Sequence, residues 1–188
     1  MDRPVTFCQG QRRPAWFNVW RLPPGNDEYD ELGVSESISI IENIILAQVH
    51  SGIDSRKIVL VGFSQGGALS LMVGLTSLHE LGGIASLSGW IPHHIRDVSQ
   101  ASIIRSRNSD IAPKQMIYTG QYLPILWCHG ANDNDIPDSY GEDAISFIRH
   151  SLYIPEQCLT YRRYEGLAHS INDAELGDLV SWLMQILG

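Results

Sequence analysis

One five-residue stretch constrains this chain more than any other: Gly62-Phe63-Ser64-Gln65-Gly66. It lies between two segments of different period. Before it, Lys57 to Phe63 is a short apolar run rich in branched residues, which reads as a strand buried on both faces. After it, Gln65 to His79 carries Leu69, Met72, Val73 and Thr76 at helical spacing. A G-x-S-x-G sequence at such a strand-to-helix junction is a nucleophile elbow, a sharp turn that lifts the serine hydroxyl clear of the backbone. Gly62 and Gly66 are expected to be glycines because side chains there would collide across the turn, and Gly67 because the helix packs closely. A dinucleotide-binding loop is a poor alternative, since glycines at 62, 66 and 67 do not follow G-x-G-x-x-G.

The rest of the chain repeats the alternation. Val34 to His50 is an amphipathic helix with Val34, Ile38, Ile41, Ile45 and Val49 on one stripe. Gly83 to Ser88, Leu123 to Cys128 and Cys158 to Tyr164 read as strands, and Ser139 to His150 and the segment around Leu176 to Ile186 as helices. Met1 to Gly33 reads as irregular, broken by Pro4, Pro14, Pro23, Pro24 and Gly25, with an aromatic patch at Trp16, Phe17 and Trp20. Alternating strands and helices predict an α/β fold, a mostly parallel sheet with helices on both faces, in a single domain over residues 1–188. Functional residues of such sheets gather on loops beyond the carboxyl ends of the strands.

A serine hydroxyl needs a base to take its proton. Of seven histidines, His169 lies in such a loop, between the last strand and the last helix. His129, directly after the third strand, is its nearest rival. His93 and His94 read as solvated or pocket-lining, and His50, His79 and His150 lie near helix ends, where a favourable dipole contact explains them. The base needs an acid to hold its tautomer. His129-Gly130-Ala131-Asn132-Asp133 offers one after the third strand, and Asp135 and Asp138 share the loop. The order Ser64, Asp133, His169 is that of α/β-hydrolases, not of chymotrypsin or subtilisin. The backbone N–H of Gln65 is the expected oxyanion donor. Trp90 and Ile91 follow a strand at the same edge and are candidates for lining an acyl channel, as Leu71 and Ile136 are less directly.

A net charge of -8 argues against nucleic acid or an anionic membrane as partner. No eighteen-residue apolar run suggests a membrane span, and Met1 to Gln11 lacks a signal-peptide core. Cys8, Cys128 and Cys158 are too few and scattered for a disulfide frame or zinc site, which points to a reducing, cytoplasmic setting. No cofactor or metal is called for.

Gly62-Phe-Ser-Gln-Gly-Gly-Ala-Leu-Ser70, His129-Gly-x-x-Asp133-x-x-x-Pro137 and Tyr164-Glu-Gly-x-x-His169-Ser170 resemble the acyl-protein thioesterase, lysophospholipase and carboxylesterase family, as does Pro14-Ala-Trp-Phe17. The likeness spans nearly the whole chain. It implies an α/β-hydrolase with Ser64 as nucleophile, Asp133, by its spacing to Pro137, as acid, and His169 as base. It also implies hydrolysis of acyl thioesters, as in depalmitoylation of proteins, or of lysophospholipids and small carboxylic esters. The chain departs from that pattern twice. Arg96 to Gln121 is longer than expected and reads as a surface loop or lid-like insertion. The family's amino-terminal strands and their His-Gly-x-Gly loop have no counterpart. The expected consequences are an open edge at the nucleophile strand and loss of the second oxyanion donor. A non-catalytic, acyl- or partner-binding hydrolase-like protein is therefore the alternative.

Overall fold

A computed structural model describes residues 1–25, 27–97 and 123–188. The chain runs β1 (Asp2–Val5), β2 (Gln11–Pro14), α1 (Glu31–His50), β3 (Val59–Phe63), α2 (Gln65–Thr76), β4 (Gly83–Leu87), β5 (Ile125–Gly130), α3 (Asp138–His150), β6 (Leu159–Tyr164) and α4 (Asp173–Leu187). Strands β3 to β6 form a four-stranded sheet in sequence order, every pair parallel. The α/β expectation therefore holds.

Alternation along the strands feeds two cores. Ile84, Ile125 and Trp127 point into a large cluster with α1, α2 and α3, through Val34, Ile45, Leu71, Met72 and Ile148. Their neighbours Ala85, Leu87, Leu126 and Cys128 point the other way, onto Leu179 and Trp182 of α4. Central strands covered on both faces need apolar residues at every position, and β4 and β5 are buried throughout. Pro124 precedes β5 and misses no ladder bond; its carbonyl accepts the Ile84 N–H at 2.9 Å. Helices α1 and α4 are capped by short polar side chains: Asp30 accepts from the Gly33 N–H, and Asn172 from the Glu175 N–H.

Strand β3 departs from the reading as a strand buried on both faces. It pairs only with β4, so it is an edge among the described residues, and Val61 is 46% exposed. This edge is what the family resemblance implied.

The amino-terminal segment corrects a second expectation. Residues 2–14 are not irregular but form an antiparallel hairpin, β1–β2, turned at Gln9 and Gly10, both with positive φ. No apolar alternation announces it, because all four residues of β2 are exposed. Arg3 secures it to the start of α1 by ion pairs to Asp30 and Glu36. Helix α1 is long and apolar enough, by length and composition, to cross a bilayer, but it carries Glu31, Glu36 and Glu42 and buries Val34 and Ile45 in the main core. The expected loop or insertion over Arg96 to Gln121 lies outside the described residues from 98 onward.

Candidate active site

The elbow is built by close packing. A side chain on Gly62 would put its Cβ 2.1 Å from the Gly66 carbonyl oxygen, so β3 can enter α2 only through glycine there. Gly67 is needed too: its Cβ would meet Ser86 Oγ at 2.8 Å and the Gly62 carbonyl at 3.0 Å. Gly66 is different from expectation. The nearest atom to a Cβ at 66 is Trp16 Nε1 at 3.8 Å, an ordinary contact, because that position faces outward rather than across the turn. Between these glycines Ser64 takes φ 54° and ψ -120°, a conformation L-residues rarely adopt. Its backbone is held on both sides: Ser64 N–H donates to the Leu87 carbonyl at 2.8 Å, and its carbonyl accepts from Ala68 at 3.0 Å.

The hydroxyl so displayed meets His169. Nε2 of His169 lies 2.8 Å from Ser64 Oγ, and its Nδ1 lies 2.7 Å from Asp133 Oδ2. The three side chains come from loops after β3, β5 and β6, separated by 105 residues between Ser64 and His169. Asp133 has no exposed side-chain surface, whereas His169 remains 18% exposed. Phe63 lays its ring 4.8 Å from the His169 ring. The loops that carry His169 and Asp133 are also joined by backbone: Ala131 N–H donates to the Tyr164 carbonyl and Asn132 N–H to that of Leu167, both at 2.9 Å. Gly130 permits this approach, since a Cβ there would stand 2.4 Å from the Leu167 carbonyl.

The acidic residues of the loop differ in their contacts. Asp133 Oδ1 accepts the backbone N–H groups of Asp135 and Ile136, at 3.0 and 2.8 Å, leaving Oδ2 for the imidazole. Asp135 is exposed, and Asp138 is engaged by Arg163 at 2.7 Å. His129, the rival base, is fully buried, and its Nε2 faces the Ile136 carbonyl rather than the hydroxyl. His94 stacks on Tyr29, and His50 and His150 close helices. The Cys128 thiol, beside this site, is no nucleophile at neutral pH: burial pushes it up to about 12.

Gln65 opens α2, so its backbone N–H is one of the first-turn donors that no intrahelical carbonyl meets. Its side chain has a use that spacing did not reveal. The carboxamide accepts the Trp16 N–H at 2.9 Å and donates to the Phe17 carbonyl at 2.7 Å. Ser37 Oγ donates to the Trp16 carbonyl on the far side of the same segment. Trp90 and Ile91 follow Gly89, whose Cα lies 3.3 Å from the place of a Gly67 Cβ, so they begin beside the elbow. Both are buried; Trp90 packs edge-on against Phe17. They share a cavity of about 250 Å³ with Pro24, Glu28 and Tyr140, whose walls do not include Ser64.

Similarity agrees with this architecture. The phospholipase/carboxylesterase family model matches residues 1–187. Acyl-protein thioesterase 1 of Cryptococcus neoformans is 32% identical over 195 residues, covering 98% of this chain and 76% of that protein. A probable carboxylesterase, SOBER1-like, of Arabidopsis thaliana is 33% identical, covering 97% of this chain and 63% of its own length. The crystal structure of Arabidopsis thaliana SOBER1 superposes with a TM-score of 0.81 at 31% identity, covering all of this chain and 81% of that one. An α/β-hydrolase fold with a serine at its elbow and relatives of this kind make the chain a serine hydrolase rather than a binding-only relic, and it belongs to the phospholipase/carboxylesterase family.

Proposed function

We propose that residues 1–188 act as one α/β-hydrolase domain that cleaves acyl thioesters or carboxylic esters through an acyl-enzyme intermediate, with Ser64 as nucleophile, His169 as base and Asp133 as acid. The unbroken pair of hydrogen bonds from Ser64 Oγ through the imidazole to Asp133 carries this reading.

In this mechanism His169 Nε2 takes the hydroxyl proton as Ser64 Oγ attacks the carbonyl carbon. Asp133 keeps the other ring proton on Nδ1 and stabilises the imidazolium. The Gln65 backbone N–H donates to the oxyanion as charge develops. The imidazolium then protonates the departing thiol or alcohol, and water repeats the cycle on the acyl-serine. Nothing in these steps requires a metal or cofactor. Trp90 and Ile91 wall the acyl side of the site, a role supported by their position next to the elbow.

The substrate class follows the relatives, acyl thioesters on proteins or carboxylic esters as their names state; fatty acyl groups on protein cysteines and small esters are what the family resemblance implies. A cytoplasmic setting is supported by the sparse cysteines, and the absence of nucleic-acid or stable membrane binding by the net charge of -8 and the packing of α1 on the core. A fluorophosphonate probe is expected to label Ser64, and Ser64→Ala to abolish hydrolysis of both an acyl thioester and a p-nitrophenyl ester. Folded protein that neither labels nor turns over would refute the assignment.

A further inference from the structure

A second imidazole lies beside the acid and takes no part in the proton transfers described above. His129, next to last in β5, has no exposed surface, and its Nε2 is 3.7 Å from Asp133 Oδ2. If charged, it would compete with the His169 imidazolium for the same carboxylate. Its surroundings keep it neutral. The indole N–H of Trp127 donates to His129 Nδ1 at 3.2 Å. An indole nitrogen only donates, so Nδ1 is an acceptor and the single ring proton is on Nε2. That proton is donated to the Ile136 carbonyl at 2.7 Å. Protonating Nδ1 would set two N–H groups against each other in a dry interior. Burial pushes the imidazole in the same direction, below its ordinary value, against the opposing pull of the Ile136 carbonyl and, after it, of Asp133 and Asp138, while His169 reinforces it. Helix α3 closes over this pair at Gly141, where a Cβ would stand 3.0 Å from both His129 Nδ1 and Trp127 Nε1.

The far end of the arrangement reaches the acid. Ile136 gives its carbonyl to His129 and its N–H to Asp133 Oδ1. The ring thus grips one side of the turn whose other side holds the carboxylate.

We propose that His129, fixed by Trp127 as the neutral Nε2–H tautomer, is a positioning residue that pins the Ile136 carbonyl and thereby aims Asp133 Oδ2 at His169. This rests on the proposed roles of Asp133 and His169. A misplacement of about 1 Å in such a constellation can cost about 10²-fold in rate.

The test compares His129→Met with His129→Gln in the whole chain; glutamine retains an N–H for the Ile136 carbonyl. His129→Met is expected to lower kcat about 10²-fold at nearly constant KM while unfolding cooperatively, and His129→Gln to recover most of that loss. Equal losses in the two variants, or an unchanged kcat in folded His129→Met, would overturn the proposal. If His129→Met does not fold, Trp127→Phe decides, since it removes the donor to Nδ1 and keeps an aromatic ring in the core, with some loss of buried volume. It is expected to add an ionisation to the acid limb of the kcat profile, and a profile identical to that of the unaltered protein overturns the proposal. In Ser64→Ala protein, imidazole ¹⁵N shifts are expected to show His129 as the Nε2–H tautomer; an Nδ1–H tautomer overturns it as well. Probe labelling of Ser64 in the unaltered protein is scored alongside. Failure there refutes the catalytic reading itself, whereas normal labelling with unchanged kcat in folded His129→Met refutes the positioning alone.

Discussion

Gln65 holds Trp16 by a side-chain bond that spans 49 residues: its Oε1 accepts the Trp16 N–H at 2.9 Å while its Nε2 donates to the next carbonyl, that of Phe17. The residue after the nucleophile therefore does two separate jobs. Its backbone N–H is the proposed oxyanion donor, and its carboxamide straps the amino-terminal segment to the elbow. Gln65→Glu keeps the acceptor but turns a second oxygen toward the Phe17 carbonyl, leaving an unsatisfied, repelling pair. Thermal unfolding should show a loss of about 1–3 kcal/mol. Unchanged stability would mean the strap carries no energy.

The elbow glycines are not equivalent. Gly62→Ala should prevent folding of the elbow, because a Cβ 2.1 Å from a backbone carbonyl has no flexible neighbour to displace. Gly66→Ala meets only ordinary contact and lies within α2, so its melting temperature should stay level or rise, by an amount matching about 0.4–1 kcal/mol. Parallel melts of the two variants distinguish the packing argument from a general need for glycine in the motif.

Replacing Asp133 by asparagine should leave the fold intact, since the new Oδ1 can still accept from Asp135 and Ile136. The imidazolium would lose its carboxylate. Steady-state kinetics should show kcat lowered by about 10⁴-fold with a similar melting temperature. A loss under tenfold would place the acid elsewhere.

Glu175 links stability to pH. It is fully buried near the start of α4, neither carboxyl oxygen makes a hydrogen bond of normal geometry, and burial raises it from 4.5 to about 7, against a smaller opposing pull from the Asn172 backbone. A carboxyl raised on folding contributes stability that is fully present below about pH 4.5 and lost as pH rises through about 7. Relative to Glu175→Gln, the unaltered protein should therefore lose about 2 kcal/mol between pH 5 and 8. Denaturant titrations of both proteins across that range measure the difference. A constant difference would refute the linkage.

Edge pairing makes a pattern along β3. Ser64 N–H and the Ile58 carbonyl both bond toward β4, so the backbone groups of Leu60 and Gly62 point the same way, and those of Val59 and Val61 point to the open side. Amide exchange should be fast at Val61 and slow at Leu60 and Gly62. Uniform protection would show that another strand covers this edge.

The legible parts of this molecule are those encoded locally. The elbow declared itself because glycine, serine and a change of period coincide within a few residues. The Asp133 loop is legible because it follows an apolar run, and the His169 loop because it lies between a strand and an apolar-periodic helix. What stayed hidden depends on partners far away in sequence. The backbone bonds that spend Asp133 Oδ1 on Asp135 and Ile136 stayed hidden too, although the spacing to Pro137 in the family resemblance already singles out Asp133. His129 stood as an alternative base until Trp127 and Ile136 were seen to occupy both ring nitrogens. The β1–β2 hairpin carries no inward-facing stripe, so nothing in its period could reveal it.

The backbone bonds from Ala131 and Asn132 to the carbonyls of Tyr164 and Leu167 make the acid and base loops a single body. Their shared distance is insured twice, by main chain and by side chain. The hydroxyl hangs from a different loop, at the tip of a strand with one neighbour among the described residues. The soft coordinate of the triad is therefore the gap between oxygen and imidazole. On warming, the enzyme should lose the activation of its serine while the imidazole is still firmly seated on its carboxylate, so inactivation would precede melting of the sheet.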